Sequence, residues 1–176
     1  MKILDCSKRE IGRKRLYLNK KLKTGSQMAK LQIGNEWWTA PAEADNGNLI
    51  MVTGRRDMDA VRDTGKYVYR VEITWRYDGD KQGMPDYKTS TLMENVTDAM
   101  QAAFDADPVA VNTGIYTGDD VRNWVFYARS LHLFEKKLNE SLAAFDKLPL
   151  EIEAFEAPEW EEYAEMRETE ILGEDE

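Results

Sequence analysis

Residues 109 to 129 read VAVNTGIYTGDDVRNWVFYAR, two strand-like runs joined by Thr117-Gly118-Asp119-Asp120. Their flanks decide the fold. On the N-terminal side, Thr91-x-x-Glu94 offers a capping box ahead of Leu92, Val96, Met100, Ala103 and Phe104, a helical spacing that Asp107-Pro108 ends. On the C-terminal side, Ser130 is placed to cap a second helix with the apolar stripe Leu131, Phe134, Leu138, Leu142 and Phe145, stopped by Pro149. The stretch is therefore a β-hairpin set between two amphipathic helices.

Strands bracket this unit. From Lys66 to Tyr77 the chain alternates, with Tyr67, Tyr69, Val71, Ile73, Trp75 and Tyr77 on one face and Lys66, Arg70, Glu72, Thr74 and Arg76 on the other. That period of two marks a strand with one buried face. LEIEAF (150 to 155) alternates again, Leu150, Ile152 and Ala154 against Glu151 and Glu153. The order from Lys66 to Phe155 is β-α-β-β-α-β, so the expected class is α+β with a ferredoxin-like core. Right-handed crossovers place the 66 to 77 strand centrally, antiparallel to a 150 to 155 edge strand, with both helices on one face. NEWWTAP (35 to 41), a turn-rich AEADNGN and LIMVTGRR (49 to 56) add an N-terminal hairpin. A short C-terminal helix starts near Pro158 and buries Trp160 and Tyr163.

With 176 residues, 42% of them apolar, the chain can fill a single core, and no apolar run approaches the ~18 residues of a membrane span. Cys6 and His132 are the only residues of their kinds, which excludes a disulfide framework and a His/Cys zinc cluster within one chain. The net charge of -9 hides an asymmetry: residues 1 to 30 carry ten Lys/Arg and two acids, the other residues 14 Lys/Arg and 31 acids. The organisation expected is a basic extension (1–30), possessing a candidate alternative start at Met28, a single α+β domain (31–166) and an acidic tail (167–176). From Glu151 onward there are twelve acids and only Arg167 as a base, which repels nucleic acid and attracts a basic partner. No Sec signal peptide is visible, and cytoplasmic residence is the expectation.

GMPD (83 to 86), LMENVTDA (92 to 99), AVNTGIYTGDDVRNWVFYARSL (110 to 131) and PEWEEY (158 to 163) strongly resemble the bacterial proteins grouped as domain of unknown function 695, over roughly residues 35 to 166. More distantly, that family is similar to ribonuclease E inhibitor B-like regulators, which implies a compatible ferredoxin-like core. The chain departs at Ala157, where an acidic residue is expected before Pro-x-Trp. The resemblance supplies no catalytic residues.

Two functions compete. Asp119, Asp120 and Arg122 at the hairpin tip, with Glu94 and Asp98 on the first helix, could share acid/base work or hold a small ligand, as in a hydrolase. Against this, Gly114 and Gly118 lack phosphate-loop spacing and suit a bulge and a turn, and His132 lies beside the helix stripe rather than in a triad. The other reading, which the charge balance favours, is a non-enzymatic interaction or regulatory module without cofactor or metal. Trp124 and Phe126 share one face of their strand. If the N-terminal hairpin with Trp37 and Trp38 does not cover that face, they form an exposed patch with Arg55, Arg56, Arg70, Arg76 and Arg122.

Overall fold

A computed structural model of the protein describes residues 31–174; the basic extension, Met28 and Cys6 lie outside the described residues. The elements are β1 (Trp37–Glu43), β2 (Leu49–Arg55), α1 (Asp59–Asp63), β3 (Tyr69–Arg76), α2 (Tyr87–Ala106), β4 (Ala110–Gly118), β5 (Val121–Ala128), α3 (Leu131–Ser141), β6 (Leu150–Glu156) and α4 (Glu161–Glu174). The six strands form one sheet in the order β1-β2-β4-β5-β3-β6, with every neighbouring pair antiparallel. This is a mixed α+β architecture. As right-handed crossovers lead one to expect, β3 lies between β5 and β6, and β6 is an edge.

Strand alternation sorts two cores onto the two faces. Val71, Ile73 and Trp75 of β3 join Trp124, Phe126 and Ala128 of β5 on the first face, where Met93, Val96, Met100 and Phe104 of α2 and Phe134 and Leu138 of α3 pack on them. Phe104, Phe126 and Phe134 form an aromatic triangle with centroids 5.0 to 5.4 Å apart. The second face holds Trp38, Ala40, Val52, Val111, Val125 and Tyr127 beneath Trp160, Tyr163 and Met166 from the α4 region, with Met58 and Val61 of the α1 region.

Several expectations need correction. The N-terminal hairpin does not cover a sheet face: β2 pairs with β4 from Ile50↔Gly118 to Gly54↔Gly114, so the hairpin widens the sheet in its own plane. A β-branched, alternating strand meets its backbone hydrogen bonds by edge pairing, and α4 then covers the enlarged face. Gly54 makes room for this, because a Cβ there would stand 2.3 Å from Trp38 Cζ2. Helix α2 starts a turn before the expected box, since Asp86 accepts from Thr89 N at 2.7 Å; Thr91 Oγ1 donates instead to Tyr87 O. The Ser130 cap forms as expected, with Leu133 N donating to its Oγ at 3.3 Å, but α3 stops at Ser141, well before Pro149. Tyr67 leaves the β3 alternation and packs in the second core, donating to Pro108 O. The short α1 was not expected, and α4 runs to Glu174, through most of the stretch assigned to an acidic tail.

Candidate functional site

The β4-β5 turn needs two left-handed residues, and Asp119 and Asp120 adopt them with φ of 51° and 64°, the signature of a tight hairpin turn that matches strand twist. Aspartate, with its short polar side chain, tolerates this conformation better than most residues. Both carboxylates are then engaged. Asp119 Oδ1 accepts from Asn46 Nδ2 at 2.8 Å and Asn48 Nδ2 at 2.7 Å, tying the tip to the β1-β2 turn. Those amides hold the Asp119 carboxyl below its usual pKa. Asp120 Oδ1 accepts from Gly79 N, its own N–H donates to Gly83 O, and its carbonyl receives Tyr77 N. Tyr77 donates to Gly83 O, and its burial pushes the phenol up to about 12.

Arg122 points the other way, toward α2. It is 7% exposed, donates to Glu94 Oε1 at 2.9 Å and Thr117 Oγ1 at 2.8 Å, and lies over the Trp124 ring. Glu94 and Arg122 are thus brought together, while Asp119 and Asp120 are each bonded to a different loop. The arrangement pins three segments around a turn. Trp124 and Phe126 are both fully buried beneath α2 and α3, so the exposed aromatic patch expected from them does not form. Arg55 is also buried, donating to Gly34 O, Asn112 O and Asp105 Oδ1. His132 is exposed on α3.

The second face carries a polar arrangement that the sequence did not single out. Helix α4 makes its extensive strand contacts with β1, β2 and β4. On its inner side Glu162 accepts from Tyr116 Oη at 2.5 Å and from Tyr127 Oη at 3.1 Å. Burial raises the Glu162 pKa, the two phenol hydrogen bonds and Arg70 oppose that, and Glu72 adds to it. The same desolvation, with Glu162 beside them, raises both phenols. Glu162 was hidden in PEWEEY because two adjacent glutamates look alike until helix phase separates them: Glu161 is exposed and Glu162 turns in.

A carboxyl with a raised folded pKa favours the folded state most when protonated, so its contribution is full below the ordinary value of 4.5 and is lost as pH rises through the raised value. Glu162→Gln removes this titration. The melting temperature of the wild-type protein relative to the variant should therefore rise on acidification from about pH 7 to about pH 4. A difference that stays flat across that range contradicts the buried, raised carboxyl.

Beyond α4, the β3/β6 half of this face has no covering helix among the described residues. By strand alternation it presents Arg70, Glu72, Thr74 and Arg76 from β3, with Glu151, Glu153 and Phe155 from β6. Glu151, Glu153, Phe155 and Arg76 are exposed, and the rest half-buried. Arg70 Nε lies 3.0 Å from Glu72 Oε1, near enough for an ion pair but off the line of N–H donation, and its guanidinium sits 4.6 Å over the Phe155 ring. Arg76 approaches Glu151 at 4.0 Å, and Thr74 donates to Asn123 Oδ1 at 2.7 Å. The Arg76–Glu151 pair is exposed on both sides, and such a pair is worth only ~0.2–1 kcal/mol. Of the residues expected to bind, Arg70 and Arg76 lie here; Asp119, Asp120, Arg122 and Glu94 belong to the hairpin tip.

The family model described as "Family of unknown function (DUF695)" matches residues 35–166, from just before β1 into α4. The chain belongs to this family. The matched range takes in both cores, the hairpin tip and Glu162, and reaches α4 as far as Met166. No curated protein and no solved structure matches the chain. Ala157, the departure from the expected acidic residue, donates its N–H to Val68 O and packs against the second core, where a carboxylate would have to be desolvated. Among the described residues no group of three or more His, Cys, Asp or Glu is placed to hold a metal, and no helix is long and apolar enough to cross a membrane.

Proposed function

We propose that this DUF695 protein is a non-enzymatic interaction module of the bacterial cytoplasm, built on a ferredoxin-like β3-α2-β4-β5-α3-β6 core, whose uncovered β3/β6 strip docks a basic protein partner. The observation that carries this reading is the exposed acidic border of the strip. Glu151 and Glu153 stand exposed on β6 on the strip's own face, against Arg70 and Arg76 as the cations from β3, and the neighbouring α4 adds exposed Glu161, Glu165 and Glu168 to the acidic surface. Clustered like charge speeds encounter with an oppositely charged partner and weakens with salt. The distant resemblance to ribonuclease E inhibitor B-like regulators supports a regulatory role for the contact. A ligand-binding or hydrolytic role at the hairpin tip has less support, because Asp119, Asp120 and Arg122 already hold turns and α2 in place.

Affinity capture from native lysate, run in parallel with wild-type protein and the Glu151→Lys/Glu153→Lys variant, tests the reading. The expected result is a specific partner retained by the wild type, released by salt, and at least roughly tenfold depleted with the variant. A matching thermal melt for the two proteins shows that the loss is not unfolding. A partner retained equally by both contradicts the proposal.

A further inference from the structure

We infer that the free edge of β6 is a strand-addition site, which takes an extended partner segment alternating Lys or Arg with apolar residues. This rests on the interaction-module reading above and specifies its partner class.

The two edges of the sheet differ. β1 contains Pro41, which has no N–H to donate and interrupts any added ladder. β6 has no proline and no bulge, and it pairs with β3 in unbroken register from Tyr69↔Glu156 to Trp75↔Leu150. Its other side has no strand partner among the described residues, and its extensive contacts are with β3 alone. A regular edge of this kind presents a row of backbone donors and acceptors in the geometry that another strand needs.

Side chains choose the occupant. On one face an added strand would run beside Glu151, Glu153 and the exposed Phe155 ring; on the other, beside Leu150, Ile152 and Ala154, which are only half-buried against the first core. A strand with cations on the first side and aliphatic residues on the second complements both. A second copy of β6 does not, because its own glutamates would stand opposite these, and like charges directly across a ladder are destabilising.

Two peptides of the same sequence, alternating Lys with Val over the length of β6, separate strand addition from plain charge attraction. One has an ordinary backbone; the other is N-methylated at alternate residues, so it keeps its charge but loses the donors on one edge. Binding to the full chain is measured by calorimetry. The expected result is that N-methylation weakens binding at least roughly tenfold and that Glu151→Lys/Glu153→Lys weakens the unmodified peptide similarly. Equal binding of the two peptides overturns strand addition while leaving the acidic docking surface intact. Binding of neither overturns both. Binding that appears only when the chain starts at Met28 makes the protein's own basic residues 1–27 the occupant and overturns a partner strand.

Discussion

Replacing Trp160 by alanine is expected to cost ~3–5 kcal/mol of stability, the range for truncating a large buried aromatic, and to lower the melting temperature by about 10 °C or more. The ring is 1% exposed and stacks on Tyr127 with centroids 4.0 Å apart and planes 17° apart. It meets Tyr163 edge-on, and its Nε1 donates to Tyr67 O at 2.8 Å, so truncation opens a cavity and strips a buried carbonyl of its partner. Trp160 also sits at φ of 55°, which side chains with a Cβ rarely adopt. The packing of the ring therefore outweighs a backbone cost of ~1–2 kcal/mol. Consequently Trp160→Gly should be no less stable than Trp160→Ala, despite removing one more carbon. Urea unfolding of both variants checks this. A loss below about 1 kcal/mol for Trp160→Ala means that α4 is not anchored as described.

Trp124→Ala is expected to cost a similar ~3–5 kcal/mol through the other core. Trp124 has no exposed surface, lies 6.3 Å from Trp75, and donates Nε1 to Thr97 Oγ1 at 2.9 Å; Thr97 in turn donates to Met93 O. The chain of hydrogen bonds runs from β5 into α2. Trp124→Phe keeps most of the ring burial and loses the indole donor, so its cost should fall to ~1–2 kcal/mol. Equal losses for the two substitutions would show that the Thr97 bond, rather than ring volume, dominates. Because the two tryptophans lie on opposite sheet faces, the losses in Trp124→Ala and Trp160→Ala should add in the double variant.

The first face was legible because its signals are local. The alternation of Val71, Ile73 and Trp75 and the stripe Phe134, Leu138 and Leu142 both repeat within one element, so periodicity alone points them inward. The second face depends on contacts between distant segments. Trp38 and Trp160 join the same cluster across most of the described chain, and no period in NEWWTAP says whether that hairpin stacks on the sheet or extends it. Trp124 and Val125 show the same limit: both flanks of β5 are apolar, so alternation separates the faces without saying which helix covers each. At the hairpin tip, composition suggested chemistry because Gly, Asp and Arg cluster there. Asn46, Asn48 and the Gly79–Gly83 loop, which occupy those carboxylates, come from remote sequence. Glu162 was missed because its role needs Tyr116 and Tyr127 on two other elements.

The most direct test of the β3/β6 strip as the binding surface is a map of backbone amide shifts in the isotope-labelled protein as the alternating Lys-Val peptide is added. Saturable changes are expected in residues 150–156 and 69–76, diminishing with added salt, with the 117–122 turn unmoved. Changes centred on residues 117–122 and Glu94, or scattered evenly over the acidic surface, would contradict binding at the strip.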